Sequence, residues 1–157
     1  MKRARRNIAL IAAAVCCGCV QAAVSAGANY ADNPWANFRP GSWSRLMIAN
    51  KNGGEPVFVT WMLMSVTGKE AIVKTEVRRG PKVVMTDNVD FPIPYHLDRP
   101  DSVSGTVLRF KGRALTCNVL QYRSASRVVW RCPDVPGFVA LDQTPETTTT
   151  LLDFESK

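Results

Sequence analysis

The chain has 157 residues, enough for about one domain, and 46% of them are hydrophobic. This apolar share excludes intrinsic disorder, and the repeats of collagen and coiled coils are absent. The formal net charge of +7 is uneven, because the first 28 residues hold four basic residues and no acidic one. The remainder has sixteen basic and thirteen acidic residues, a net charge of +3, which removes the electrostatic basis for a nucleic-acid partner.

Residues 1–28 are typical of an export signal. A basic segment at 1–6 precedes an apolar run at 8–20, and small residues follow up to Ala28. At 1.5 Å per residue the apolar run spans about 20 Å, which is short of the roughly 30 Å hydrocarbon core of a membrane. The sequence therefore predicts a signal peptide over 1–28 and a single domain over 29–157, exported to the periplasm or the cell exterior and not integral to the membrane.

Three of the five cysteines, Cys16, Cys17 and Cys19, lie in this predicted leader. In one interpretation they are apolar positions that are removed with the signal. In the other, Cys19 follows Gly18 as the lipidated first residue of a lipoprotein, and the protein is then anchored to a membrane by its lipid.

From residue 43 onward, segments with β-strand character alternate with turns rich in Gly and Pro. A spacing of about ten residues is typical of an antiparallel meander, and no helical period persists over three turns. The predicted fold class is all-β with little helix, in which eight or nine strands form a half-barrel, barrel or sandwich. The predicted strands are 43–50, 57–67, 71–78, 82–87, 106–110, 118–123, 127–131, 138–142 and 147–154, and residues 91–105 are predicted to be one long irregular connection.

Segment 57–67 is apolar on both faces, unlike segment 71–78, in which apolar residues alternate with polar ones. The second face of such a strand requires cover from the folded-over sheet, from the N-terminal loop with Trp35 and Phe38, or from a bound lipophilic molecule. The third alternative predicts an apolar ligand face that combines segment 57–67 with the hairpin near residue 120. Its candidate residues are Phe58, Met62, Met64, Leu120 and Tyr122.

The two remaining cysteines, Cys117 and Cys132, flank a predicted hairpin with a four-residue loop at 123–126. If Tyr122 faces Arg127, the register brings Cys117 opposite Cys132, within bonding range. An even cysteine pair in an exported chain predicts a disulfide that stabilises the fold. The alternatives are two free thiols or a metal site, and for zinc two thiolates and a single distant histidine are a poor ligand set.

Two motifs resemble those of a group of exported bacterial β-meander proteins of unassigned activity. They are NPWANFRPGSW at 33–43 and WRCPDVPG at 130–137. The meander of that group is similar to the open half-barrel of the periplasmic lipoprotein carriers. The resemblance implies a concave apolar surface for acyl chains with one or two covering helices, and it supplies no catalytic residues.

Catalytic and cofactor motifs are absent from the sequence. His96 is the single histidine, and it could pair with Asp98 as a base or simply hold its loop. No nucleophile elbow, carboxylate pair, metal set or phosphate-binding loop is present. The sequence predicts neither catalysis nor a cofactor.

Between Arg99 and Arg131 the chain carries seven basic residues against one acidic residue, Asp101. These charges fit a solvated sheet edge or contact with anionic lipid or cell-wall polymer. The predicted function is a non-catalytic exported β-domain that binds a lipophilic ligand or an envelope component. The alternative is a structural or assembly subunit that buries its second apolar face against another protein.

Overall fold

A computed structural model of the chain describes residues 33–93 and 98–157. The predicted signal peptide, its alternative lipid anchor at Cys19 and the single histidine His96 lie outside the described residues. Within the described ranges, no helix is long and apolar enough to cross a membrane.

Nine antiparallel strands form one sheet, and the all-β meander predicted from the sequence is confirmed. The described residues contain no helix, including the covering helices implied by the resemblance. The strands are β1 (Trp43–Asn50), β2 (Val57–Val66), β3 (Glu70–Arg79), β4 (Lys82–Pro92), β5 (Ser102–Phe110), β6 (Arg113–Tyr122), β7 (Arg127–Arg131), β8 (Val139–Gln143) and β9 (Thr147–Glu155).

The sheet has the order β4-β3-β2-β1-β9-β8-β7-β6-β5. Consecutive strands pair as hairpins within two meanders, β1 to β4 and β5 to β9. Pairing of β1 with β9 joins the two meanders, so the first and last strands lie side by side at the centre. Strands β4 and β5 are the two edges of the open sheet.

The prediction of an irregular connection over residues 91–105 is wrong at both ends. Phe91 and Pro92 extend β4 and pair with β3, and β5 begins at Ser102, which pairs with Gln121. The prolines suggested a break, but a proline is tolerated in an edge strand because its missing N–H can lie on the unpaired side. The described connection is reduced to Ile93 and residues 98–101.

The core consists of two clusters of buried side chains that meet at Trp61 of β2. One cluster surrounds the Cys117–Cys132 disulfide, and the other lies under the N-terminal loop. In that loop Trp35 and Phe38 are buried, with 1% and 8% of their surface exposed. Cover of one sheet face by this loop, one of the three alternatives drawn from the sequence, is therefore observed.

The N-terminal loop is fixed by the Asn33 side chain. Its Oδ1 accepts a hydrogen bond from the Trp35 backbone at 2.9 Å, and its Nδ2 donates to the carbonyl oxygens of Phe91 and Pro92 at 3.1 and 3.0 Å. Asn33 is 2% exposed, and its bond to the Trp35 backbone is buried, where a hydrogen bond is strengthened; the two bonds to β4 are partly buried. The amide thus ties the loop that carries Trp35 to the end of edge strand β4.

Two buried serines near the start of β1 differ in how their hydroxyls are satisfied. Ser42 Oγ accepts a hydrogen bond from the Lys157 backbone at 3.0 Å, whereas Ser44 Oγ has no hydrogen-bond partner among the described residues. A buried polar group without a partner reduces stability, because its lost hydration is not replaced.

We expect Ser44→Ala to raise the free energy of unfolding by about 1 kcal/mol and Ser42→Ala to lower it by about 1 kcal/mol. Denaturant unfolding of both variants measures the difference, and a loss of stability in Ser44→Ala would contradict the assignment.

Candidate functional site

A cavity of about 200 Å³ is lined by residues of both meanders and of the N-terminal loop. Its described lining is mainly aromatic and aliphatic, with charged groups added from β7 and from Asp98. The lining residues are Pro34, Trp35, Trp61, Phe91, Asp98, Leu120, Tyr122, Arg127, Val129, Arg131, Gly137 and Val139. For comparison, an apolar protein cavity of about 150 Å³ holds a benzene ring.

Two tryptophans from distant parts of the chain meet at Gly137. A β-carbon built on this glycine would lie 3.1 Å from ring atoms of both Trp35 and Trp61. The Gly137 φ angle of +81° lies in the left-handed region, which a glycine adopts without the strain that a side chain adds. Gly137 therefore allows both rings to pack against the backbone at the cavity wall.

Gly137 belongs to the loop 132–138, which connects β7 to β8 and is closed on itself by backbone hydrogen bonds. The Cys132 N–H donates to the Phe138 carbonyl and the Phe138 N–H donates to the Val135 carbonyl, both at 2.7 Å. Phe138 has a φ angle of +62°, which is rare for a bulky side chain. The Arg131 guanidinium lies 4.9 Å from the centre of its ring. This closed loop fixes one wall of the cavity.

The polar part of the cavity is formed mainly by Tyr122 and two arginines of β7. Arg127 makes two hydrogen bonds to Asp142, at 2.9 and 2.6 Å, and these bonds raise the pKa of Arg127. Burial raises the pKa of Tyr122 above its ordinary value, against the opposing effect of the nearby Arg127 and Arg131 charges. Tyr122 is thus a neutral hydroxyl at physiological pH, beside two fixed positive charges.

The structure places the five predicted ligand-face residues in two different locations. Leu120 and Tyr122 line the cavity, together with Trp61 from β2. Phe58 and Met62 lie on the opposite side of β2 from Trp61, and Met64 lies at a β-bulge beyond it. Met62 and Met64 are 37% and 49% exposed, whereas Phe58 is half-buried, so the described residues leave β2 uncovered at these two methionines.

The hairpin register predicted from the sequence is observed. Tyr122 pairs with Arg127 and Val119 pairs with Trp130, and a disulfide joins Cys117 and Cys132, with their Cα atoms 4.1 Å apart. Both cysteines are buried, at 1% and 0% exposure. The predicted disulfide is confirmed, and its position at the base of the loop 132–138 connects it to the cavity wall.

The sequence did not identify the cavity residues Trp61, Gly137 and Arg131 as a group. The motif at 130–137 contains two of them, and that motif is the part of the sequence from which they could have been found. Several of the clustered basic residues have local roles: Arg127 pairs with Asp142, and Lys111 contacts Asp153 at 2.9 Å. Within 33–93 and 98–157, no cluster of three His, Cys, Asp or Glu residues could hold a metal ion.

Comparison with known proteins finds no relative of this chain. No family model, no curated protein and no solved structure matches it.

Proposed function

We propose that this chain is a non-catalytic binding domain of an oxidising, exported compartment, which takes the apolar part of a lipophilic ligand into the cavity at Trp61. The cavity itself carries the proposal: four aromatic residues and several aliphatic side chains line a space large enough for a ring-sized or short-chain group. The buried disulfide supports an oxidising location, because such bonds persist mainly outside the cytosol.

The polar side of the cavity favours a ligand with a neutral or negatively charged end. Tyr122 offers a hydroxyl, and Arg127 and Arg131 contribute positive charge that is partly balanced by Asp142, which binds Arg127, and by Asp98 in the lining. Burial of an apolar group is worth about 0.8 kcal/mol per methylene, so a six-carbon segment contributes about 5 kcal/mol. An affinity in the micromolar to millimolar range is expected once a polar contact is added.

The test uses 1-anilinonaphthalene-8-sulfonate, a fluorescent aromatic anion, as the probe. We expect saturable binding to the folded protein and at least about a tenfold loss of affinity in Val139→Phe, because the added ring fills the cavity. Val128→Phe is the matched control, since Val128 pairs with Gln121 on the opposite face of β7. Its affinity should match that of the wild type.

Thermal unfolding of each variant separates loss of binding from loss of folding. If Val139→Phe destabilises the protein, the smaller substitution Val139→Met replaces it. Equal affinity in the plugged, folded variant and the wild type would refute the proposal. Solvent extraction and mass spectrometry of the purified protein should in addition reveal a lipophilic molecule.

A second candidate function, a structural or assembly subunit, is favoured by a separate observation. Met62, on the face of β2 that points away from the cavity, and Met64, at the β-bulge, both expose a large part of their surface, and neither lines the cavity. Exposed methionines are frequent on surfaces that bind other proteins. A co-purified protein that Met62→Gln releases, with no lipophilic molecule in the extract, would favour this alternative.

A further inference from the structure

Strand β4 is the edge of the sheet with the most exposed apolar surface. Four of its large hydrophobic side chains are exposed, and the backbone on its outer side is not paired with any described strand. An open edge of this kind presents N–H and C=O groups that can pair with another strand. The four side chains, with their exposed fractions, are Val83 (42%), Val84 (52%), Met85 (49%) and Val89 (39%).

The backbone of β4 is hydrogen-bonded to the N-terminal loop at the C-terminal end of the strand, and its outer side is unpaired at the N-terminal end. The Asn33 amide donates to the carbonyls of Phe91 and Pro92, which occupies the backbone there. Val83, Val84 and Met85 belong to the other end, which starts at Lys82. An added strand is therefore directed to the N-terminal half of β4.

The N-terminal half of β4 carries one positive and one negative side chain, which a second copy of the same segment can pair. Lys82 lies opposite Arg79 of β3, a cross-strand pair of like charges, and Asp87 lies opposite Thr75. Neither Lys82 nor Asp87 takes part in an ion pair within the described ranges. An antiparallel copy of the same segment can bring the lysine of one chain against the aspartate of the other, twice about a two-fold axis.

We propose that a second copy of this chain pairs antiparallel with β4, with Lys82 of each copy opposite Asp87 of the other. The same register places Val83 opposite Thr86 and the exposed pair Val84 and Met85 at the two-fold axis. The pairing is isologous, since both copies use the same surface, and the assembly therefore stops at a dimer. The surface is remote in sequence from the β6 and β7 residues of the cavity, and the inference is independent of the proposed ligand.

The faces of the strand agree with this register. Lys82 pairs with Arg79 and Asp87 with Thr75, two positions of β3 that lie on the same face. Val84 is the extra residue of a β-bulge in the β3–β4 ladder. Because the bulge sits at the centre of the proposed pairing, the opposition of Lys82 to Asp87 is the same whether Val84 is paired or looped out.

Analytical ultracentrifugation of the protein tests the proposal over about 1 to 500 µM, the range expected for a contact smaller than a standard interface. Lys82→Asp and Asp87→Lys each place two pairs of like charges in the contact, and we expect each to raise the dimer dissociation constant at least about tenfold. The double variant Lys82→Asp with Asp87→Lys restores opposite charges and should return to within about threefold of the wild type.

The control is Arg109→Asp, a charge reversal on the other edge strand, β5, which should leave the dimer unchanged. Thermal unfolding confirms that each variant is folded. A protein that stays monomeric over the whole range would overturn the proposal. So would a dimer that resists both single reversals, or one that the double reversal fails to restore.

Discussion

Gly137→Ala is expected to lower the free energy of unfolding by about 2 to 4 kcal/mol. Two effects add at this position. The residue has a φ angle of +81°, where a side chain is strained, and a methyl group would meet ring atoms of both Trp35 and Trp61 at 3.1 Å. Both rings would have to move away from the backbone, so the change should also alter tryptophan fluorescence and reduce binding of the anilinonaphthalene probe.

Gly53→Ala separates the two effects. Gly53 has a similar φ angle, +93°, but a methyl group there would meet nothing within 4 Å. Its loss of stability should therefore reflect backbone strain alone, about 1 kcal/mol. Denaturant unfolding of the two variants under the same conditions gives the comparison. Equal losses would show that the tryptophans do not require a glycine at position 137.

Local features of the fold could be predicted because successive side chains of a strand point to opposite faces, so the sequence of the strand itself shows which face is buried. The alternation in segment 71–78 predicted a strand with one apolar face, and Ala71 and Val73 of that face are fully buried in β3. The hairpin register followed from the length of one loop, which fixes every pair on both strands. The disulfide then followed from the register.

The cavity could not be predicted in the same way, because it depends on contacts between distant segments. Trp61 and Leu120 are brought to one cavity by the pairing of β1 with β9, which no local pattern records. The side of the sheet on which a residue lies also depends on every register and bulge between the strands. Phe58 and Leu120 were grouped by their apolar character alone, and the ladders that separate them place them on opposite faces.

The prolines near the end of β4 led to the wrong prediction of an irregular connection, because β4 is an edge strand. Pro92 is a strong breaker within a central strand, but β4 has a neighbour on one side only. The strand therefore continues as far as Pro92, and Phe91 reaches the cavity and lies 6.4 Å, between ring centres, from Trp35. This extension supplies one of the four aromatic residues that line the candidate site.

Loss of the disulfide is the second large effect that we expect. The double variant Cys117→Ala with Cys132→Ala should lower the free energy of unfolding by about 3 kcal/mol, because the unfolded chain is no longer constrained by a loop of this size. The bridged residues are 15 apart in sequence. Both are buried, so a reductant has little access to the bond in the folded state. Denaturant unfolding measures the loss, and dithiothreitol should destabilise the wild type and leave the double variant unchanged.

The disulfide also supports the cavity, because Cys132 begins the loop that carries Gly137. The Cys132 N–H donates to the Phe138 carbonyl, so a displacement of Cys132 is passed to the wall beside Trp35 and Trp61. Under conditions where the double variant is still folded, we therefore expect weaker probe binding than in the wild type. Val128→Phe, which leaves the loop intact, is the reference for unchanged affinity. A double variant that keeps full affinity would show that the hydrogen bonds of the loop hold the cavity wall without the disulfide.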